Sequence, residues 1–354
     1  MILLEDGSIS SNGKIIFVSL SRFKEKVCRE LVCFVCADEM AEPTREHVVP
    51  DWVLRKFSLH NQCITLPNGT LLKYANYVIP CCWSCNQLLS KELETPIGKA
   101  FNEGFEGVKN FLANGYGQKL FSWLALIFIK MHYKDNSLPA NRDRRSMSGT
   151  ISKEMGYDWG DMHHTYCLAR AEFSKATVRP EALGSLGVFS ILRDSNEREA
   201  FDIGGFTFAN TFSLRIGDVG VIACFGDGGA VLYKLNQLFL QKLEGKLSFP
   251  QFRELLAHFA CCRLHLKNPP TLSSLFDRRT GETIIVCTER DGEPEFHNFD
   301  RSLLGKLMKQ VLFESAKNSV DVPNFMEALE SGALSFLFSN DGTFIKHSED
   351  YSNA

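Results

Sequence analysis

Leu120, Trp123, Leu124, Ile127, Phe128 and Met131 recur at intervals of three and four, the period of one helix face, and predict a buried helix inside a mostly helical stretch 97–133. The same period predicts helices over 249–266, 302–316 and 322–330. Runs rich in β-branched and aromatic residues, punctuated by Gly and Asp, predict strands at 166–173, 187–192, 204–216, 219–225 and 283–287. Gly226-Asp227-Gly228-Gly229 lacks a following Gly-Lys-Ser/Thr, so it reads as a turn between strands and not as a phosphate-binding loop.

Nearer the N-terminus the elements shorten. Residues 14–20 read as a strand and 21–31 as a charged helix or turn. Residues 46–50 form a strand stopped by Pro50, and 52–57 a short helix. Pro67-Asn68-Gly69-Thr70 between two apolar runs predicts a hairpin. A helix opening after Tyr77-Val78-Ile79 runs through Leu88, Leu89 and Leu93 and is expected to stop at Thr95-Pro96. The polar stretch 135–149, with Asn141-Arg142-Asp143-Arg144-Arg145, suits a boundary between an N-terminal domain, 1–145, and a second α+β domain, 146–354. The expected fold class is α+β.

Composition narrows the class. At 354 residues and 44% hydrophobic the chain can bury a core, and a net charge of −3 excludes a polycation. The first 150 residues carry 18 basic against 15 acidic side chains and the rest 21 against 27, a mild basic bias compatible with nucleic acid. Twelve cysteines without a basic, apolar leader read as metal ligands in a reducing compartment, so a cytoplasmic protein is expected. The longest apolar run, 120–129, is too short to span a bilayer, so no membrane partner is expected.

The chemistry concentrates between Cys33 and Asn86. Cys33-x-x-Cys36 and Cys82-x-x-Cys85 are two thiolate pairs at zinc-ligand spacing, and four thiolates leave no open position, so the zinc would be structural. Two other clusters, His163-His164-x-x-Cys167 and Cys261-Cys262-x-x-His265, are better read as core residues. Between the zinc pairs lies Glu46-His47, and Asn86 follows the second. Phosphodiester hydrolysis needs a proton acceptor for water and a cation near the phosphate; His47 offers the imidazole, Glu46 and Asn86 the oxygens. Taken singly, Glu46 reads as a solvated strand residue beside a satisfied histidine, His47, and Asn86 as a helix cap. Adjacent strand residues point to opposite sides, so Glu46 and His47 require polar surroundings on both faces.

Cys-x-x-Cys, Glu-His-Val-Val-Pro and Cys-x-x-Cys-Asn together resemble the HNH endonucleases, a ββα-metal fold carrying an added four-cysteine zinc, over residues 28–100. The extended motif is similar to bacterial HNH proteins, some tied to phage defence. The resemblance implies His47 as general base, Glu46 and Asn86 as ligands of a catalytic Mg²⁺ or Mn²⁺, and Cys33, Cys36, Cys82 and Cys85 as zinc ligands. It implies Asn76 as the residue positioning His47, although the usual spacing falls on Tyr77. DNA is the implied substrate. A double-strand cutter with one site per chain would act as a dimer, so a homo-oligomer is expected, and because an unregulated nuclease endangers its host, a phage-derived trigger is expected to act through the second domain. Residues 146–354 would then sense, regulate or oligomerise. The alternative is a zinc-stabilised module that binds nucleic acid or protein without cutting.

Overall fold

Short strands near the N-terminus fold where Gly and Asn allow tight reversals. A computed structural model describes residues 1–40, 42–141, 143, 145, 148–193, 200–288, 292–316 and 322–347. The chain divides into two compact units: 1–102, 111–182 and 272–287 form the first, and 103–110, 183–271 and 288–354 the second. The units do not divide at 145/146, because the stretch up to Ala182 packs into the first.

The first unit begins with an antiparallel sheet, β1 (Ile2–Leu3), β2 (Ile9–Ser11) and β3 (Lys14–Phe17). The helix α1 (Leu20–Arg22) follows and widens into a π-type segment, Phe23–Arg29. Strand β4 (Pro43–His47) leads through Pro50 into α2 (Asp51–Lys56). The hairpin β5 (Cys63–Thr65) and β6 (Leu71–Lys73) forms around Asn68-Gly69 as expected, with Gly69 in the left-handed region. Strand β7 (Val78–Cys82) pairs antiparallel with β4 and runs directly into α3 (Trp83–Leu89).

Thr95-Pro96 does not stop this helix. A π-type segment, Ser90–Glu94, carries it into α4 (Thr95–Asn102). Proline orphans the carbonyl four residues back, that of Glu92, and here Lys119 Nζ donates to that oxygen at 3.1 Å. The widened turn before Pro96 and this substitute donor let the helix continue. After α5 (Gly104–Phe111), which belongs mostly to the second unit, α6 (Gly117–Asn136) is the central helix of the first, buried continuously from Leu120 to Lys130.

Residues 166–173, expected as a strand, are helical. α7 (Ile151–Glu154) precedes α8 (Trp159–Ala169) and α9 (Ala171–Ser174). The Asp158 carboxylate caps α8 by accepting from Gly160 N at 2.7 Å, and Tyr166 stacks on Phe23 with ring centroids 4.5 Å apart. Tertiary packing and the cap override the β-type composition. β8 (Thr177–Val178) completes a three-stranded sheet with β13 (Leu272–Asp277) and β14 (Glu282–Cys287), a later hairpin that returns to this unit.

The second unit is built on an antiparallel sheet in the order β10 (Phe201–Phe206), β11 (Thr211–Ile216), β12 (Val219–Cys224) and β9 (Ser185–Ser190). α11 (Phe249–His265) lies on it, and Gly220 leaves room for the Phe252 ring, which a Cβ would meet at 2.6 Å. Gly226–Gly229 leads from β12 into α10 (Ala230–Leu238) and does not join two strands. Asp227, held by Ser185 Oγ at 2.6 Å, caps that helix at Val231 N. The helices α12 (Arg301–Ala316) and α13 (Val322–Glu330) fall where the periodicity places them. Among the described residues no helix is long and apolar enough to cross a membrane.

Burial pushes the Asp135 carboxyl, at the end of α6, up to about 7, although Tyr157 donates to it at 2.7 Å. An unfolded Asp ionises near 3.8, so the folded state holds the extra proton between these values. The stability this gives is present at the acid end of the window and lost as pH rises through about 7. Asp135→Asn should remove a decline of roughly 4 kcal/mol between pH 4 and 7. His132 and His164, each lowered by burial to about 4, act in the opposite direction. Denaturation curves of variant and wild type compared at each pH isolate the Asp135 contribution, and parallel pH profiles would refute it.

Candidate active site and metal centre

Cys33 and Cys36 stand on a tight turn closed by Ala37 N donating to Cys33 O at 2.8 Å, with Ala37 in the left-handed region. Three long side chains brace this turn. Tyr133 Oη donates to Val32 O at 2.8 Å, Arg170 Nε to Val35 O at 2.9 Å, and Arg22 Nε to Ala37 O at 2.9 Å. Arg170 follows directly on α8, which explains why the first unit extends past residue 145.

Cys82 ends β7 and precedes α3, and Cys85 sits in that helix's first turn. The sulfurs of Cys33, Cys36, Cys82 and Cys85 all lie within 4.8 Å of one another. Zinc–sulfur bonds near 2.3 Å at tetrahedral angles separate the sulfurs by about 3.8 Å, and Cys36 and Cys82 are 3.7 Å apart. Hydrogen bonds from Cys36, Cys81 and Cys85 hold the Cys33 thiol below its usual range, and its thiolate pushes those three up. Without a cation the cluster thus favours one thiolate, and a divalent ion is what allows all four ligands to lose their protons. These four cysteines can hold a metal ion such as zinc. All twelve cysteines are free of disulfides.

The pairing of β4 with β7 and the run of β7 into α3 give two strands and a helix around this centre. Glu46 and His47 emerge on opposite sides of β4. The Glu46 carboxylate points inward and accepts from Lys130 Nζ at 2.6 Å; the same fully buried ammonium donates to His47 O at 2.8 Å and lies 4.0 Å from Glu94. Burial pushes the Glu94 carboxyl up to about 7, with Lys130 opposing. Asn86 is half-buried and donates to Thr44 Oγ1 at 3.4 Å. Lys130 therefore supplies a positive charge beside Glu46 Oε1, and Asn86 makes its contact with Thr44 through Nδ2 and not through its amide oxygen.

Lys130→Met should cost about 3–5 kcal/mol, because it strands Glu46 as an unpaired buried charge. Adding Glu46→Gln to Lys130→Met should recover part of that loss in chemical denaturation. Equal stability of the single variant and wild type would refute the ion pair's structural role.

On the other side of β4 the His47 imidazole is half-buried and has no hydrogen-bond partner among the described residues. Burial lowers its pKa, with Asp51 and Glu46 opposing, which favours the neutral ring. Asn76 is exposed in the turn before β7, and no hydrogen bond joins its side chain to His47 among the described residues. Two residues absent from the sequence reading join His47 here. Asp51 opens α2, and Ser58, in the left-handed region, reverses the chain so that His60 comes back over that helix's start. His60 Nε2 lies 2.9 Å from Asp51 Oδ1, and one ligand atom from each of His47, Asp51 and His60 falls within 4.8 Å of the others.

The other sequence clusters stay pairwise: Cys167 with His163 at 3.7 Å, and Cys261 with His265 at 3.7 Å. Neither gathers a third His, Cys or carboxylate ligand among the described residues. Arg142 and Arg144 lie outside the described residues, and Arg145 pairs with Asp143 at 2.8 Å. No family model matches the chain, and neither does any curated protein or solved structure.

Proposed function

We propose that this protein is a metal-dependent endonuclease of the HNH type that hydrolyses DNA phosphodiester bonds. The observation that carries the reading is His47. A half-buried imidazole that burial biases toward its neutral form, with no hydrogen-bond partner among the described residues, stands at the end of one strand of a two-strand-and-helix unit beside the four-cysteine group. The imidazole takes a proton from water, the water oxygen attacks phosphorus, and the bond from phosphorus to the 3′-oxygen breaks. That oxygen leaves and is protonated by solvent. A divalent ion such as Mg²⁺ or Mn²⁺ supplies charge neutralisation at the phosphate when bound.

Incubating the full chain with supercoiled plasmid and Mg²⁺ or Mn²⁺ tests the proposal. Nicking or linearisation that chelation abolishes supports it. No cutting of DNA under any metal condition overturns it in favour of a binding module. One observation favours that second reading: Lys130 already neutralises Glu46, the acidic group that the HNH resemblance assigns to the ion.

A further inference from the structure

We propose that His47, Asp51 and His60 form a second metal site, selective for first-row transition ions such as Mn²⁺ over Mg²⁺. It deepens the nuclease reading and rests on it only for the site's use, because the binding argument stands on geometry alone. Three ligand atoms, two imidazole nitrogens and a carboxylate oxygen, lie within 4.8 Å of one another, and the Asp51–His60 pair is already 2.9 Å apart. All three residues are half-buried, which leaves solvent a path to the remaining coordination positions.

Local backbone fixes the ligands. Asp51 is anchored at the first position of α2, and its other oxygen is held by Arg55 at 2.9 Å. His60 is set by Leu59 N donating to Leu54 O at 2.8 Å and Ala75 N donating to His60 O at 3.2 Å. His47 is fixed by the β4–β7 register, opposite Val78. Two imidazoles with one carboxylate suit Mn²⁺, Fe²⁺, Co²⁺ or Zn²⁺, whereas Mg²⁺ prefers an all-oxygen set. Such a set leaves open positions for water and a phosphate oxygen. It also places the cation on the face opposite Lys130, which already fills the Glu46 side.

The test titrates Mn²⁺ into zinc-loaded full-length protein and reads free Mn²⁺ by electron paramagnetic resonance. One Mn²⁺ per chain is expected, weakened at least about tenfold by His60→Ala and by Asp51→Asn and unchanged by Asn86→Ala. Zinc content and circular dichroism establish that each variant is folded. Absence of binding, or binding insensitive to both His60→Ala and Asp51→Asn, overturns the site. Loss of binding in Asn86→Ala alone also overturns it, by placing the ion beside Glu46. The two proposals fail separately. Binding at His47, Asp51 and His60 without plasmid cutting upholds the metal site while the nuclease reading falls. Cutting by a protein whose binding ignores His60 and Asp51 does the reverse.

Discussion

Cys82→Ser should abolish zinc binding by the purified protein and lower the unfolding midpoint of the zinc-loaded protein by more than about 10 °C, whereas Cys81→Ser should still bind zinc. The two neighbours differ in what they hold. Cys82 belongs to the four-sulfur group, ends β7 and precedes α3, and its amide donates to Cys33 Sγ at 3.4 Å. Cys81 lies 3.9 Å from Cys33 but stands outside the group of four. In small zinc domains the bound ion contributes about 10–16 kcal/mol of apparent binding energy that is also folding energy. Here the turn is also braced by Tyr133, Arg170 and Arg22, so part of the fold should survive without metal. Zinc release measured with a colorimetric chelator, alongside thermal denaturation, checks both halves. A Cys82→Ser protein that retains stoichiometric zinc would refute the assignment.

His47→Ala should reduce plasmid cleavage by about 10²–10⁴-fold, the usual contribution of a positioned acid–base group, with little effect on stability. The small stability effect follows from the structure: the imidazole makes no hydrogen bond among the described residues and meets the His60 ring edge-on with centroids 6.1 Å apart, while its backbone carbonyl accepts from Lys130. The large activity effect follows because burial favours the neutral, proton-accepting ring and the half-buried side chain remains reachable by solvent. Single-turnover rates of wild type and variant, taken with matched melting curves, separate the two. Equal cleavage rates would remove His47 from the reaction and with it the HNH reading. A stability loss as large as that of Lys130→Met would make it a structural residue.

The sequence alone determined the four-cysteine group and much of the local structure. Two Cys-x-x-Cys pairs at that separation, a hairpin around Asn68-Gly69 and the period from Leu120 to Met131 are local signals, each set by the geometry of a few consecutive residues. Elements that depend on distant partners were illegible. Residues 166–173 carry strand-like composition, yet a cap at Asp158 and stacking on Phe23 make them helical. Pro96 sits inside a continuing helix because Lys119, far along the chain, answers the carbonyl it orphans. The site divides in the same way. The motif singles out His47 and Glu46 alike, but Glu46 pairs with Lys130, 84 residues away, and that pairing arises only when α6 packs against β4. Asp51 and His60 lie nine residues apart without motif spacing, and a left-handed turn at Ser58 brings them together beside His47. Sequence fixes which ligands a chain offers at short range; which faces meet, and so which carboxylate stays free for a cation, is decided by long-range packing.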